Sequence, residues 1–253
     1  MTEYLLETKG LRKTFGRLAA VAGVSLGISE GTLAAIIGPN GAGKTTLINL
    51  LTGLLTPDTG TVRFKGEDIT RVPSHGRVRR GLSRSFQIMN IFPNLAVRQN
   101  LLLPALSRRG RNLHAVARLE DETGANADAE ELLREIGLWD HRDARAGALS
   151  HGDQRLLELG IAVGTRPELC FLDEPCAGMN PIERQTVLGL MRKLSSQRRT
   201  TFVIVEHDMD VVFSLAEWIV VMNRGRVLAE GPPAEIRAHP EVRETYLGEE
   251  LLA

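Results

Sequence analysis

Apolar positions along this chain fall into runs of different period. "YLLETKGLRKTF" and "AVAGVSLGIS", near the start, alternate loosely in twos, which predicts strands. "LAAIIG" and "ELCFL" are short and wholly apolar, the pattern of strands buried on both faces, and "TTFVIVE" is a further strand. "TPDTG" (56–60) reads as a turn leading into the strand "TVRFKG". Helical spacing runs from about Lys44 to Leu51, with Gly53 as its stop. It returns over 127–136 in "NADAEELLREIG" and in "PIERQTVLGLMRKLSSQ", where Pro181 occupies the first turn. "NLAVRQNLLLPALSRRG" is a helix for which Asn94 is the expected N-cap. "EWIVVMNRGRVLAEG" predicts a hairpin around Asn223–Gly225, and "PPAEIRAHPEVRETYLG" two short helical pieces. The charged stretch 107–124 fits either a surface helix pair or a loop.

Strands and helices in alternation point to an α/β core, spanning 1–86 and 155–253, with a mainly helical segment, 87–154, inserted into it. A length of 253 residues suits one domain with such an insertion. The 43% apolar content supplies a sizeable interior, and the low aromatic share, 4%, suits close helix–sheet packing. Lys plus Arg and Asp plus Glu each number 31, so no global field favours nucleic acid or anionic lipid. Cys170 and Cys176 lie in no ligand pattern and are expected to be small buried hydrophobes. "MTEYLLETKG" lacks a basic region before an apolar core, and no apolar run approaches the roughly 18 residues of a spanning helix. A membrane role is therefore expected to come through a partner.

"IIGPNGAGKTTLINLLTG" joins a buried strand to a helix through a turn that satisfies G-x-x-x-x-G-K-[ST] at Gly38, Gly43, Lys44 and Thr45. Glycines at 38, 41 and 43 let the backbone curl until successive N–H groups, from Asn40 through Gly41, Ala42 and Gly43 to Thr46, point inward at phosphate oxygens. Lys44 reaches the β- and γ-phosphates, and the Thr45 hydroxyl ligates Mg²⁺. A chance match at this composition is on the order of one in two hundred, and flanking strand and helix lower it further. The expected ligand is a nucleoside triphosphate.

"LCFLDEP" (169–175) brings two acids to the carboxyl end of a buried strand, where ligands bind in open α/β sheets. In isolation this is a solvated strand end. Some 130 residues after a phosphate loop, Asp173 is the expected Mg²⁺ holder, through water, and Glu174 the group that orients and deprotonates the attacking water.

In these motifs, and in three more, the chain resembles the ATP-binding subunits of ABC transporters across nearly its whole length. "SFQ" matches that family's glutamine loop at Gln87, "LSHGDQR" (149–155) its signature, and "VEHD" (205–208) its switch histidine at His207. Phe15 stands where the family places an aromatic that stacks on adenine. The resemblance implies a P-loop NTPase (RecA-like) core with an antiparallel β subdomain and an inserted helical signature subdomain. It implies that Gln87 senses the γ-phosphate and Mg²⁺, and that His207 contacts the γ-phosphate. Ser150 and the Gly152 N–H, at a helix N-terminus, would face the ATP of a second subunit, so that two ATPs join two chains head to tail.

There are departures. His151 and Asp153 replace the usual Gly and Gln of the signature, and Asn180 precedes Pro181 where the superfamily carries an aspartate after the acidic strand. "DEPxAGMNPxE", "VEHDMDVV" and the closing "YLGE" (246–249) look like the subgroup serving high-affinity uptake of branched-chain and other amino acids, or urea. That resemblance implies an importer ATPase at the cytoplasmic face of the membrane. Its partners would be permeases, a second ATPase subunit and, indirectly, a substrate-binding protein. Phe92 and Leu95 are candidates for permease contact, or equally for core. Alternative readings are a lipopolysaccharide-export ATPase and a soluble iron–sulfur-assembly ATPase. Only about a hundred residues separate loop from signature, too few for the coiled coils of chromosome ATPases. A guanine-reading Asn-Lys-x-Asp is missing from the sequence.

Overall fold

The computed structural model describes residues 4–85, 91–109 and 123–247. In chain order its elements begin with β1 (Leu6–Phe15), β2 (Leu18–Ile28), β3 (Leu33–Ile37), α1 (Lys44–Leu51), β4 (Thr59–Phe64), β5 (Glu67–Asp68), α2 (Ser74–Val78) and β6 (Leu82–Arg84). They continue with α3 (Val97–Arg108), α4 (Thr123–Glu135), α5 (His151–Gly164), β7 (Leu169–Asp173) and α6 (Pro181–Ser196). The last are β8 (Thr201–Val205), α7 (Met209–Leu215), β9 (Trp218–Asn223), β10 (Arg226–Gly231), α8 (Pro233–Ala238) and α9 (Pro240–Val242). Two compact units result, one of residues 1–80 and 201–253, the other of residues 81–200.

In the first unit β3 lies parallel to both β8 and β9, while β10 returns antiparallel to β9. Every residue of β3 and β8 is buried, as strands covered on both faces must be, and their side chains make the unit's centre. The β9–β10 hairpin turns through Arg224 and Gly225, both left-handed (φ 48° and 77°), the two-residue geometry that matches strand twist. A separate antiparallel sheet runs β2-β1-β4-β5, and slips in the β1–β2 register disturb the alternation that the sequence shows only loosely.

One charged side chain is fully inside this unit. The Arg77 guanidinium donates to the carbonyls of Leu50 and Leu51 at the end of α1 (2.8 and 2.7 Å), and to Ile69, Thr70 and Val72 (2.7, 3.1 and 2.9 Å). Helix ends leave carbonyls without intrahelical partners, and a cation there also suits the helix dipole. Burial pushes the Arg77 pKa down to about 10, so the charge persists at neutral pH.

In the second unit β6 and β7 form a parallel pair; α5 packs against β6, and α3, α4 and α6 pack against α5. Asp128 of α4 accepts from Arg109 and Arg166 at 2.9 and 3.3 Å, and from Arg108, tying three segments to one carboxylate. The expected N-cap at Asn94 is not found: α3 begins two residues later, with Ala96 as N-cap. There the Gln99 side chain takes the Ala96 N–H (2.9 Å), while the Phe92 carbonyl takes the Leu95 N–H in a preceding turn. α4 starts at Thr123, four residues before the sequence suggests. The expected helical insertion, 87–154, falls in the second unit, which also takes in β6, β7 and α6. Both cysteines are buried, as anticipated.

Replacing Arg77 with Met should remove a donor from five carbonyls, three of them on buried residues, and destabilise the protein by about 3 kcal/mol or more in urea unfolding. A loss under about 1 kcal/mol would mean that water replaces the guanidinium without difficulty.

Candidate functional site

In the first unit the segment from Gly38 to Lys44 forms a cup whose walls are backbone. Gly38 (φ 143°) lies so close to the β9 edge that a Cβ there would sit 2.1 Å from the Met222 carbonyl oxygen. Gly43 (φ 99°) would place one 2.2 Å from the Ala20 oxygen of β2. Only glycine fits either position. The Gly225 N–H at the hairpin tip donates to the Ala42 carbonyl (2.9 Å), and the Gly225 carbonyl accepts from Ala22 (2.8 Å), so two strands buttress the loop. Asn40 and Gly41 form its exposed crest, and Thr45 is exposed in the first turn of α1.

Lys44 is buried, and its Nζ donates to the Gly38 and Pro39 carbonyls at 2.6 and 3.1 Å. A desolvated ammonium needs such partners. They hold a positive charge at the start of a helix, an arrangement that favours an anion. His207, in the same unit, is exposed after β8, between the buried Glu206 and the α7 N-cap Asp208. Phe15 is 49% exposed, an unusual state for a phenyl ring, with Lys13 Nζ 5.9 Å from its centroid.

The second unit carries the acids and the signature. β7 is buried throughout and ends in Asp173, whose Oδ2 accepts from Arg84 at 3.1 Å. Glu174 follows at φ 48°, a left-handed conformation that a non-glycine residue holds only under constraint, and such strain gathers at functional positions. Ser150 is the N-cap of α5, its Oγ accepting from the Asp153 N–H (3.1 Å) and donating to the Asp153 carboxylate (2.8 Å). Gly152 is pressed against α6, where a Cβ would approach Glu183 Cγ to 2.7 Å. Asn180 caps α6, its Oδ1 accepting from Ile182 and Glu183 (both 3.0 Å), a task that asparagine and aspartate share.

Of the residues singled out in the sequence, Gly38 to Thr46, His207 and Phe15 thus belong to the first unit, and Asp173, Glu174, Ser150 and Gly152 to the second. Gln87 lies outside the described residues. Arg84 does not stand out in the sequence; its signal is a full charge closing a strand that starts with the buried Leu82 and Ser83. Among the described residues no group of three or more His, Cys, Asp or Glu side chains forms a cage for an ion. A single buried carboxylate, Asp173, suits Mg²⁺, which keeps water and takes most of its remaining ligands from phosphate.

Comparison with known proteins gives these features a context. A family profile described as ABC transporter matches residues 21–177, and one described as branched-chain amino acid ATP-binding cassette transporter matches residues 226–251. The chain is 40% identical to the high-affinity branched-chain amino acid transport ATP-binding protein BraF of Pseudomonas aeruginosa, over 98% of this chain and all of that one. It is 37% identical to the corresponding LivG protein of Escherichia coli K12, with the same 98% and complete coverage. A crystal structure of a nucleotide-free ATP-binding cassette from an ABC transporter superposes with a TM-score of 0.82 at 32% identity, covering 97% of this chain and 99% of that one. The ADP conformation of such a cassette gives the same values.

Lys44→Ala should lower affinity for a fluorescent ATP analogue by roughly 10- to 100-fold, the loss of one charge-assisted contact to phosphate. Equal affinity in titrations of both proteins would remove Lys44 from the binding site.

Proposed function

The chain belongs to the ABC transporter family of ATP-binding subunits, and on that premise we propose that it energises import of branched-chain amino acids. The observation that carries this reading is the glycine-walled cup around Lys44 in a chain whose C-terminal segment matches the branched-chain profile. That segment, and relatives of near-equal length that carry branched-chain transport names, favour import over lipopolysaccharide export or iron–sulfur assembly.

ATP is bound with its phosphates in the cup and its adenine on Phe15. Phosphate oxygens take the Lys44 ammonium into a charge-assisted contact. Thr45, Asp173 and Gln87 would hold Mg²⁺, which would supply charge neutralisation at the transferring phosphoryl group. Glu174 orients the attacking water and takes its proton, and His207 steadies the γ-phosphate. Strain at Glu174 supports this assignment, because it fixes the carboxylate's backbone in one sparsely populated state.

Ser150 and the Gly152 N–H complete the site on the ATP of a second cassette. A phosphate arriving there displaces the Asp153 carboxylate from the Ser150 hydroxyl. Closure of the pair is therefore driven by ATP and undone by hydrolysis. Among the described residues no helix is long and apolar enough to cross a membrane, so coupling requires permease subunits, with a substrate-binding protein feeding them from the far side. Phe92 supports a docking role near the glutamine loop: its ring is 53% exposed, while the buried Asn100 side chain pins its backbone at both N–H (2.8 Å) and carbonyl (3.2 Å). Leu95 is half-buried beside it. The protein thus sits peripherally on the cytoplasmic face.

Glu174→Gln should reduce phosphate release by about 10²–10⁴-fold while leaving ATP affinity nearly unchanged, and should trap an ATP-bound pair of cassettes. Turnover at the wild-type rate would show that another group acts as base. Ser150→Arg should bind ATP as the wild type does, yet fail to associate with a second cassette in ATP-dependent sedimentation. Normal association would remove Ser150 from the contact between subunits.

A further inference from the structure

The buried ion pair at the end of β7 has a role that the ATPase reading leaves unassigned. Arg84 is the last residue of β6, in register with Phe171 of β7, and the Ser85 N–H that follows donates to the Phe171 carbonyl (2.8 Å). This ladder carries the Arg84 side chain along β7 to the Asp173 carboxylate, 3.1 Å away at Oδ2. The two side chains are only 9% and 8% exposed. Burying two opposite charges costs several kcal/mol per ion in desolvation, so that well-packed apolar residues of similar volume often serve the fold as well or better. Stability alone does not account for the pair.

Its geometry does. A carboxylate that acts on Mg²⁺ through water must present one oxygen in a fixed direction, and a side chain at a strand end has two torsions free to turn it. We infer that Arg84 is a positioning residue for magnesium: by holding Oδ2 of Asp173 it restricts the rotation of the carboxylate that would act on the metal through water. The planar guanidinium suits this better than an ammonium, because its donors are fixed in direction. Groups that orient a metal's protein ligands from outside the coordination sphere typically govern affinity by 10–100-fold. Arg84 touches neither nucleotide nor metal in this account; it acts through Asp173.

The inference rests on the ATPase reading, and the experiment separates the two. Full-length wild-type, Arg84→Met and Arg84→Lys proteins are titrated with a fluorescent ATP analogue in EDTA, and then with Mg²⁺ at fixed analogue. Arg84→Met should bind the metal-free analogue within about twofold of wild type, yet need about tenfold more Mg²⁺ for half-maximal enhancement of binding. Arg84→Lys should shift the same midpoint by a smaller factor, retaining the charge without the fixed fork. The inference falls if the Mg²⁺ midpoint is unchanged in both variants, or if Arg84→Met weakens binding equally with and without metal, the mark of a general structural role. Should Arg84→Met not fold, the Arg84→Lys midpoint decides alone: raised supports, unchanged overturns. A wild-type protein whose binding of the analogue ignores Mg²⁺ would remove the ATPase reading together with this inference.

Discussion

Lys44 and the carbonyls of Gly38 and Pro39 form the contact on which the rest of the structure depends. A buried ammonium cannot be left without partners, and Nζ finds two of them in the loop's own carbonyls, those of Gly38 and Pro39. These two bonds tie the lysine to the curve of its own loop. That state requires backbone walls at van der Waals distance, hence glycine against Met222 and against Ala20. It also requires a floor that does not move, which the wholly buried β3 and β8 supply. Arg77 extends the same logic to the far end of α1, so both termini of the helix that follows the cup are held by cationic side chains.

The second unit solves a related problem with different means. Its acids leave a buried strand within a single residue of each other, one paired with an arginine and the other held in a left-handed turn. Its signature serine caps a helix whose second residue has no side chain, and the space so saved is filled by Glu183. That same Glu183 accepts from the Asn180 N–H (3.2 Å), closing the capping box of α6. One glutamate thus sets both the start of a helix and the approach of the signature to it. The departures from the family pattern at Asp153 and Asn180 are accommodated: the Asp153 carboxylate accepts from the Ser150 hydroxyl, and Asn180 caps α6.

Much of this was legible in the residues. Unbroken apolar runs identified β3 and β7, helical spacing identified α1 and α6 with Pro181 at the first turn, and the glycine spacing located the cup. What escaped was whatever depends on a distant partner. Asn94 looks like an N-cap by composition, but the Gln99 side chain had already taken the backbone N–H that matters, at Ala96. Arg84 reads as one surface cation among 31 basic residues until β6 is laid beside β7. Nor does a sequence reveal that Glu174 takes a positive φ, because strain of this kind is imposed by surroundings and not by the residue's own preference.

Chain order adds a temporal consequence to the buttressing of the loop. The glycine-rich turn is made of residues 38–44, yet Met222 and Gly225, which close one of its sides, are synthesised some 180 residues later. A polypeptide still emerging from the ribosome owns the lysine and the amides but lacks the hairpin that braces them. The bracing of the turn thus becomes available only once residue 225 has been made.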